Sequence, residues 1–207
     1  MSARGKTVLW WGRFDPDYSR NRILRRAYAA LGWTIVDFHP WGPGLTGDLE
    51  AMLRAPVAAD LVHIPCFRQR DIAAASRYAR RHRLPLLLDT LTSQYDKAVH
   101  EQHRYNPCSI RARQLLRYEQ GLFDRGDVVL ADTPEYARFF ESTLLVPKEK
   151  LHVVYVGAEE PLFSPGPPHA PNNPIEVLFY GSFVHLQGPE VIVEAARRYQ
   201  GPPVRWV

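Results

Sequence analysis

Six short apolar runs, each followed by a helical pattern or a glycine stop, constrain this chain more than any other feature. They fall at Thr7–Trp11, Thr34–Phe38, Asp60–Ile64, Leu84–Leu88, Asp127–Ala131 and within Lys148–Val156, where Gly157 closes the last. Between them the spacing predicts helices over about Arg20–Leu31, Leu45–Leu53, Gln69–Arg81, Asn106–Phe123 and Thr133–Ser142. Short apolar strands alternating with amphipathic helices imply an α/β domain, a doubly wound parallel sheet with right-handed crossovers.

In such sheets ligands bind at the carboxyl ends of the strands, so the residues just after each run are the candidates. After the first run come Gly12, Arg13 and the helix start Ser19-Arg20-Asn21. Ser19 is the expected N-cap and Gly32 the expected stop. Ile23, Leu24, Ala27, Tyr28 and Leu31 form one apolar face, while Arg20, Arg22, Arg25 and Arg26 fall largely elsewhere and read as a solvated face. His63 belongs to the third run and either touches a substrate or packs as a strand residue. Asp89 follows the fourth run and either orients a ligand hydroxyl or opens the turn as a local backbone acceptor. Trp10, Trp11 and Trp41 read as core first and as stacking surfaces for a ring second. Asp96, His100 and His103 read as a solvated segment rather than a zinc site. A dinucleotide fingerprint is not expected, and hydrolase, phosphotransferase and zinc-finger motifs are not found.

A proline-rich stretch, Pro161–Pro174, reads as a semi-rigid linker. Beyond it Val177-Leu178-Phe179-Tyr180 suits a strand buried on both faces, ended by Gly181. Pro189 opens a helix whose Val191, Ile192, Ala195, Ala196 and Tyr199 make one apolar stripe. Val204–Val207 reads as a second strand. The expected organisation is a domain over 1–160, a linker over 161–174, and the first strand–helix–strand unit of an incomplete second domain over 175–207. One strand, one helix and a partial strand are too little for an independent α/β core.

The 207 residues are 45% apolar with a formal net charge of +4. That mild basicity is compatible with nucleotide-bearing substrates or an anionic membrane surface and too weak to argue for nucleic acid. No apolar run approaches the roughly 20 residues that span a bilayer, and the N-terminus is too short in apolar residues for a secretory leader. The expected location is cytoplasmic, with a peripheral position at the inner face of the membrane as an option. Cys66 and Cys108 then read as free thiols.

The segment Gly181–Ala196, G-S-F-x-x-L-Q-G-x-E-x-I-x-E-A-A, resembles the opening of the C-terminal domain in retaining glycosyltransferases of the GT-B fold, family 4 type. Asp60-Leu61-Val62-His63, Asp127–Thr133, and Lys150–Ala158 followed by Leu162-Phe163-Ser164-Pro165 resemble further segments of the same family in the same order. The resemblance implies two Rossmann-like domains, the first on the acceptor side and the second holding most of the donor. It implies sugar transfer from a nucleotide-sugar donor to a sugar or lipid-linked acceptor with retention, without metal or cofactor, the donor being a substrate. Gly181, Ser182, Gln187 and Gly188 are the donor-binding residues it suggests, and Gly12 and Arg13, at the ligand edge after the first strand, are counted with them. Ser182 and Gln187 stand where the family usually has Arg and Lys, so neutral donors and backbone N–H groups would hold the diphosphate. The family's acidic pair lies further along the second domain, so these residues alone are not expected to turn over. A non-catalytic sugar- or nucleotide-binding α/β module is the alternative. A nucleic-acid-associated domain is a third and weaker reading.

Overall fold

The apolar runs assemble as the alternation requires. The computed structural model describes residues 5–42, 46–54, 58–158, 162–166, 174–181, 183 and 185–207. The chain divides into two compact units, Met1–Leu162 and Phe163–Val207.

In the larger unit the order is β1 (Thr7–Trp11), α1 (Ser19–Ala30), β2 (Thr34–Phe38), α2 (Gly47–Arg54), β3 (Leu61–Ile64), α3 (Ile72–His82), β4 (Leu86–Leu88), a single turn α4 (Gln94–Asp96), α5 (Ile110–Phe123), β5 (Val128–Ala131), α6 (Pro134–Ser142) and β6 (Leu151–Val153). The strands form one six-stranded sheet in the order β2-β1-β3-β4-β5-β6, every pairing parallel. The chain leaves β1 towards β2 on one side and returns to β3 on the other. The loops after β1 and β3 therefore diverge, which opens a crevice at the carboxyl ends of those strands.

β1 lies between β2 and β3, with Val8 opposite both Ile35 and Leu61, and all five of its residues are buried. Leu9 and Trp11 point into the main core with Val62, Ile64, Leu86, Leu88, Val129 and Ala131. Ala74, Ala75, Tyr78 and Ala79 of α3 and Phe123 and Phe140 of α5 and α6 complete it. Small residues on α3 let that helix lie close to the sheet. Thr133 caps α6, its hydroxyl accepting from Tyr136 N, and Pro134 takes the first helical position.

Several boundaries differ from the sequence reading. Ser19 is the first helical residue of α1 rather than its cap; Tyr18 holds the cap position without a side-chain bond. Gly32 does stop the helix, at φ 75°. α5 begins at Ile110, because Ser109 rather than Asn106 caps it: Ser109 Oγ accepts from Ala112 N at 3.1 Å. Asn106 instead closes a turn, its carbonyl accepting from Ser109 N.

The smaller unit holds β7 (Ile175–Val177), α7 (Pro189–Arg198) and β8 (Val204–Trp206), with β7 and β8 parallel. Pro189 opens α7 as expected. The apolar run at 177–180 is not a strand buried on both faces. β7 ends at Val177 with all three residues exposed, and Leu178 is 68% exposed. The cause is a shortage of layers: among the described residues of this unit one strand pairs with β7 and one helix accompanies it. On α7 only Ile192 and Ala196 of the predicted stripe are half-buried. Among the described residues no helix is long and apolar enough to cross a membrane.

Candidate functional site

The site region of the larger unit is the rim formed by the residues that follow β1, β3, β4, β5 and β6. Gly12 sits at the crevice between β1 and β3 with φ 125°, a conformation that side chains disfavour. A Cβ there would lie 3.0 Å from both Arg68 Nε and Asp71 Oδ2. The glycine thus admits the Arg68–Asp71 ion pair of the β3–α3 loop, 2.5 Å at its closest, to the end of β1.

Arg13 is held beside it. Its Nε donates to the Pro40 carbonyl at 2.8 Å and its Nη2 to that of Trp41 at 3.4 Å. His39 lies 2.8 Å through Nδ1 from the Gly12 carbonyl. A carbonyl only accepts, so Nδ1 carries the hydrogen and Nε2 is the nitrogen left to meet a ligand. Arg54 stacks on Trp41 at 3.7 Å, and Trp41 is 72% exposed. Arg13, His39, Trp41 and Arg54 line a cavity of about 340 Å³ at the ends of β1 and β2. The arrangement offers a fixed guanidinium, an imidazole nitrogen and an aromatic edge, a set suited to a polar ring compound.

The predicted residue Asp89 has a role the sequence did not suggest. It is fully buried and pairs with Arg20, which is 2% exposed. Arg20 Nε donates to Asp89 Oδ1 at 2.8 Å and Oδ2 at 3.0 Å, and Nη2 lies 2.7 Å from Oδ1. Arg20 Nη1 donates to the Val154 carbonyl at 2.7 Å. One guanidinium therefore joins the start of α1 to the ends of β4 and β6. Asp89 neither meets a ligand hydroxyl at the surface nor opens a turn. The Cys66 thiol donates to Asp89 Oδ2 at 3.7 Å. Burial pushes the Asp89 carboxyl up, against the pull of the Arg20 hydrogen bonds and charge. Burial, helped by the Asp89 charge, also pushes the Cys66 thiol up, so this cysteine is not a ready nucleophile.

The solvated face proposed for the arginines of α1 is corrected here. Arg20 is buried in an ion pair, and Arg25 is bonded twice to Asp37, at 2.6 and 3.1 Å, while lying over Trp10. A basic residue in the first turn of a helix opposes the helix dipole. In Arg20 that was the available signal of a counter-ion.

His63 is 0% exposed, stacked on Trp10 at 4.0 Å with 9° between ring planes, and 3.1 Å from Tyr28 Oη through Nδ1. Burial first, then the charges of Arg20 and Arg25, push its pKa down to about 3. It is a neutral packed strand residue, and any role runs through the rings it holds. Trp10 and Trp11 are likewise core, unlike Trp41.

Two further features escaped the sequence. Phe67 and Leu91 adopt φ of 61° and 63° in the loops after β3 and β4, strain that gathers at the rim. Glu119 of α5 is buried and accepts from Ser93 Oγ at 2.6 Å, Gln94 N at 2.7 Å and Tyr95 N at 2.9 Å. It holds the segment after β4. Burial pushes its carboxyl up against those bonds. The sequence also carries the glycine spacing of a dinucleotide fingerprint at Gly42, Gly44 and Gly47, contrary to the expectation of none. It follows the edge strand β2, away from the crevice, and Gly47 packs against Trp11 and Pro40. Gly44 lies outside the described residues.

In the smaller unit Gly181, Gln187 and Gly188 come together. A Cβ on Gly181 would collide with the Gln187 side-chain amide. Gly188 is the N-cap of α7 at φ 59°, and its carbonyl accepts from Val191 N and Ile192 N. Ser182 lies outside the described residues.

Residues 8–157 match the model of the glycosyl transferase 4-like domain. Over 98 residues the chain is 30% identical to the putative colanic acid biosynthesis glycosyltransferase WcaL of Escherichia coli K12, covering 45% of this chain and 24% of that protein. The crystal structure of Anabaena HepE in complex with UDP and glucose shares the fold at a TM-score of 0.60 and 14% identity, covering 97% of this chain and 60% of HepE. The chain spans less than two thirds of either relative. The family match takes in the whole six-stranded sheet and its rim, and on it the chain belongs to the glycosyl transferase 4-like domain family.

Proposed function

We propose that this chain is the acceptor side, with the first strand–helix–strand unit of the donor side, of a retaining glycosyltransferase that uses a nucleotide-sugar donor. The family match over residues 8–157 carries the reading. The domain limits proposed are 1–160, 161–174 and 175–207.

In the reaction an acceptor oxygen forms a bond to the anomeric carbon while the bond from that carbon to the diphosphate oxygen breaks. The bonding pair leaves with the diphosphate, and the proton of the acceptor hydroxyl passes to the departing diphosphate oxygen. Charge grows on the diphosphate, which oriented N–H donors stabilise. Gly181, Ser182, Gln187 and Gly188 are the proposed diphosphate residues, acting through backbone amides and a neutral side chain. The glycine cap of α7 leaves its first-turn N–H groups clear of side-chain bulk. Gly12 and Arg13, at the carboxyl end of β1, are the donor-binding residues proposed for the larger unit. A sugar or lipid-linked acceptor would lie on the rim of the larger unit. His63 and Asp89, both buried, act there as positioning residues. HepE was crystallised with UDP and glucose, so a UDP-sugar is the first donor to test. A peripheral place on the cytoplasmic face of a membrane fits a lipid-linked acceptor and belongs to the same proposal.

The test uses the protein of the full reading frame and the 207-residue chain side by side. Nucleoside diphosphate release is measured over a panel of nucleotide sugars with saccharide and lipid-linked acceptors, and the product anomer is assigned by NMR. Release with retained configuration from the longer protein supports the reading. An inverted product removes the retaining mechanism. Donor binding without release across the panel transfers the reading to a non-catalytic binding module.

A further inference from the structure

A second concavity of the larger unit carries three cations and no carboxylate in its lining. It lies between the Gln94–Tyr105 segment and the start of α5 and measures about 630 Å³. Lys97, Arg104 and Arg111 line it together with the amides of Gln94, Gln102 and Gln114. No carboxylate belongs to that lining, and among the described residues none of the three cations has a carboxylate within ion-pair distance. Elsewhere in the unit the lining arginines are occupied, Arg13 by carbonyls and Arg54 by Glu50 and Trp41.

The walls are held in place. Glu119 fixes residues 93–95 from below. Lys97–Glu101 is a π-helical turn, a form that often marks functional sites. It ends where Arg104 N and Tyr105 N both donate to the Ala98 carbonyl, at 2.8 and 3.3 Å. Tyr105 then packs on the small core of Tyr95, Val99 and Ala112. His103 takes φ 49° to make that reversal. The opposite wall begins at Ser109, the cap of α5.

Arg111 occupies the same place in α5 that Arg20 occupies in α1, the second residue of the helix. Neither first turn contains an acid. The helix dipole disfavours a cation there and a bound anion offsets that, although Arg111 is exposed where Arg20 is buried. In α1 Asp89 supplies it; in α5 the chain supplies none among the described residues.

We propose that this concavity binds a phosphate or diphosphate group, with Lys97, Arg104 and Arg111 as charged donors and the three glutamines as neutral ones. Guanidinium–phosphate bonds are charge-assisted and bidentate, and three cations match the charge of a diphosphate. A soluble phosphorylated compound and a phospholipid headgroup present the same chemistry. The site stands on its own geometry and does not depend on the transferase reading.

The 207-residue protein is titrated with inorganic pyrophosphate by calorimetry at low ionic strength. In parallel it is co-sedimented with phosphatidylcholine vesicles with and without phosphatidylglycerol. The variant K97Q/R104Q/R111Q is compared with R70Q/R80Q/K148Q, which removes three exposed cations elsewhere. Pyrophosphate affinity falls at least tenfold in the first variant and stays within twofold in the second. Sedimentation with the anionic vesicles alone, lost in the first variant, assigns the headgroup as source; pyrophosphate binding without sedimentation assigns a soluble compound. The proposal is overturned if the parent does not bind pyrophosphate, whatever the vesicles do, or if both variants weaken binding equally.

Discussion

The chain contains two strand–glycine–helix junctions, β1–Gly12–α1 and β7–Gly181–α7, and they end in opposite states. β1 is buried along its whole length, and β7 is exposed along its whole length. Gly12 holds a positive φ with the Arg68–Asp71 pair 3.0 Å from where a Cβ would sit; a Cβ on Gly181 would meet the Gln187 amide and the Phe179 ring. α1 sends an arginine into the interior, where Asp89 receives it, while α7 keeps its arginines on the surface, two of them near Glu194. The motif is the same in outline. What differs is the number of neighbours, two strands for β1 and, among the described residues, one for β7.

The sharpest way to break this contrast is to disrupt the buried pair. Arg20→Met or Asp89→Leu alone leaves a buried charge without its partner and should lower the stability of the larger unit by about 3–5 kcal/mol. The double variant should recover most of the loss. Hydrogen exchange of the β1 amides under urea measures it. Equal losses in the double and single variants would mean that the pair does not act as a unit.

The glycines come next. Gly12→Ala should cost about 1–3 kcal/mol, since both the positive φ and the neighbouring ion pair oppose a side chain. Gly181→Ala should cost about 1 kcal/mol or less, because the Gln187 and Phe179 side chains that a Cβ would meet can swing away. Chemical denaturation of each variant compares them, and a reversed order would refute the role given to Gly12.

The buried junction should also carry a pH dependence through His63. Its folded pKa, about 3, lies below the ordinary value of about 6.5, so the unfolded chain binds the proton first as pH falls. The associated stability is complete above about pH 6.5 and declines towards pH 3, by up to about 1.4 kcal/mol per pH unit. His63→Gln should remove that slope, whatever its effect at neutral pH. A profile parallel to the parent's would show that the ring is protonated in the fold.

The smallest effect belongs to the exposed junction. Leu178→Ser in the 207-residue chain should change stability by less than about 0.5 kcal/mol, the range of surface substitutions. A loss of 2 kcal/mol or more in thermal unfolding would place that residue in a core and erase the contrast.

Much of the framework is legible without coordinates, because period and punctuation are local. The runs at Thr7–Trp11 and Thr34–Phe38 are strands to the residue, and Thr133-Pro134 opens α6 as read. Asn106 failed as a helix start because its side-chain oxygen accepts from Cys108 N, two residues ahead, while Ser109 Oγ reaches the amide three residues ahead. The candidate site was legible by position and not by partner. Gly12, Arg13 and Asp89 follow strands, as ligand-edge residues do, yet the ion that Asp89 meets is 69 residues away.

Local chemistry therefore settles the alternation of strands and helices, the cap at Thr133, the helix start at Pro189, and the glycine stop at Gly32. Each is decided by atoms within a few residues. The sheet order, the burial of β1 against the exposure of β7, and the pairing of Arg20 with Asp89 belong to the tertiary structure alone. Burial depends on which distant segments cover a strand, and a buried charge depends on which distant charge meets it. Neither distance is written in the spacing of residues along the chain.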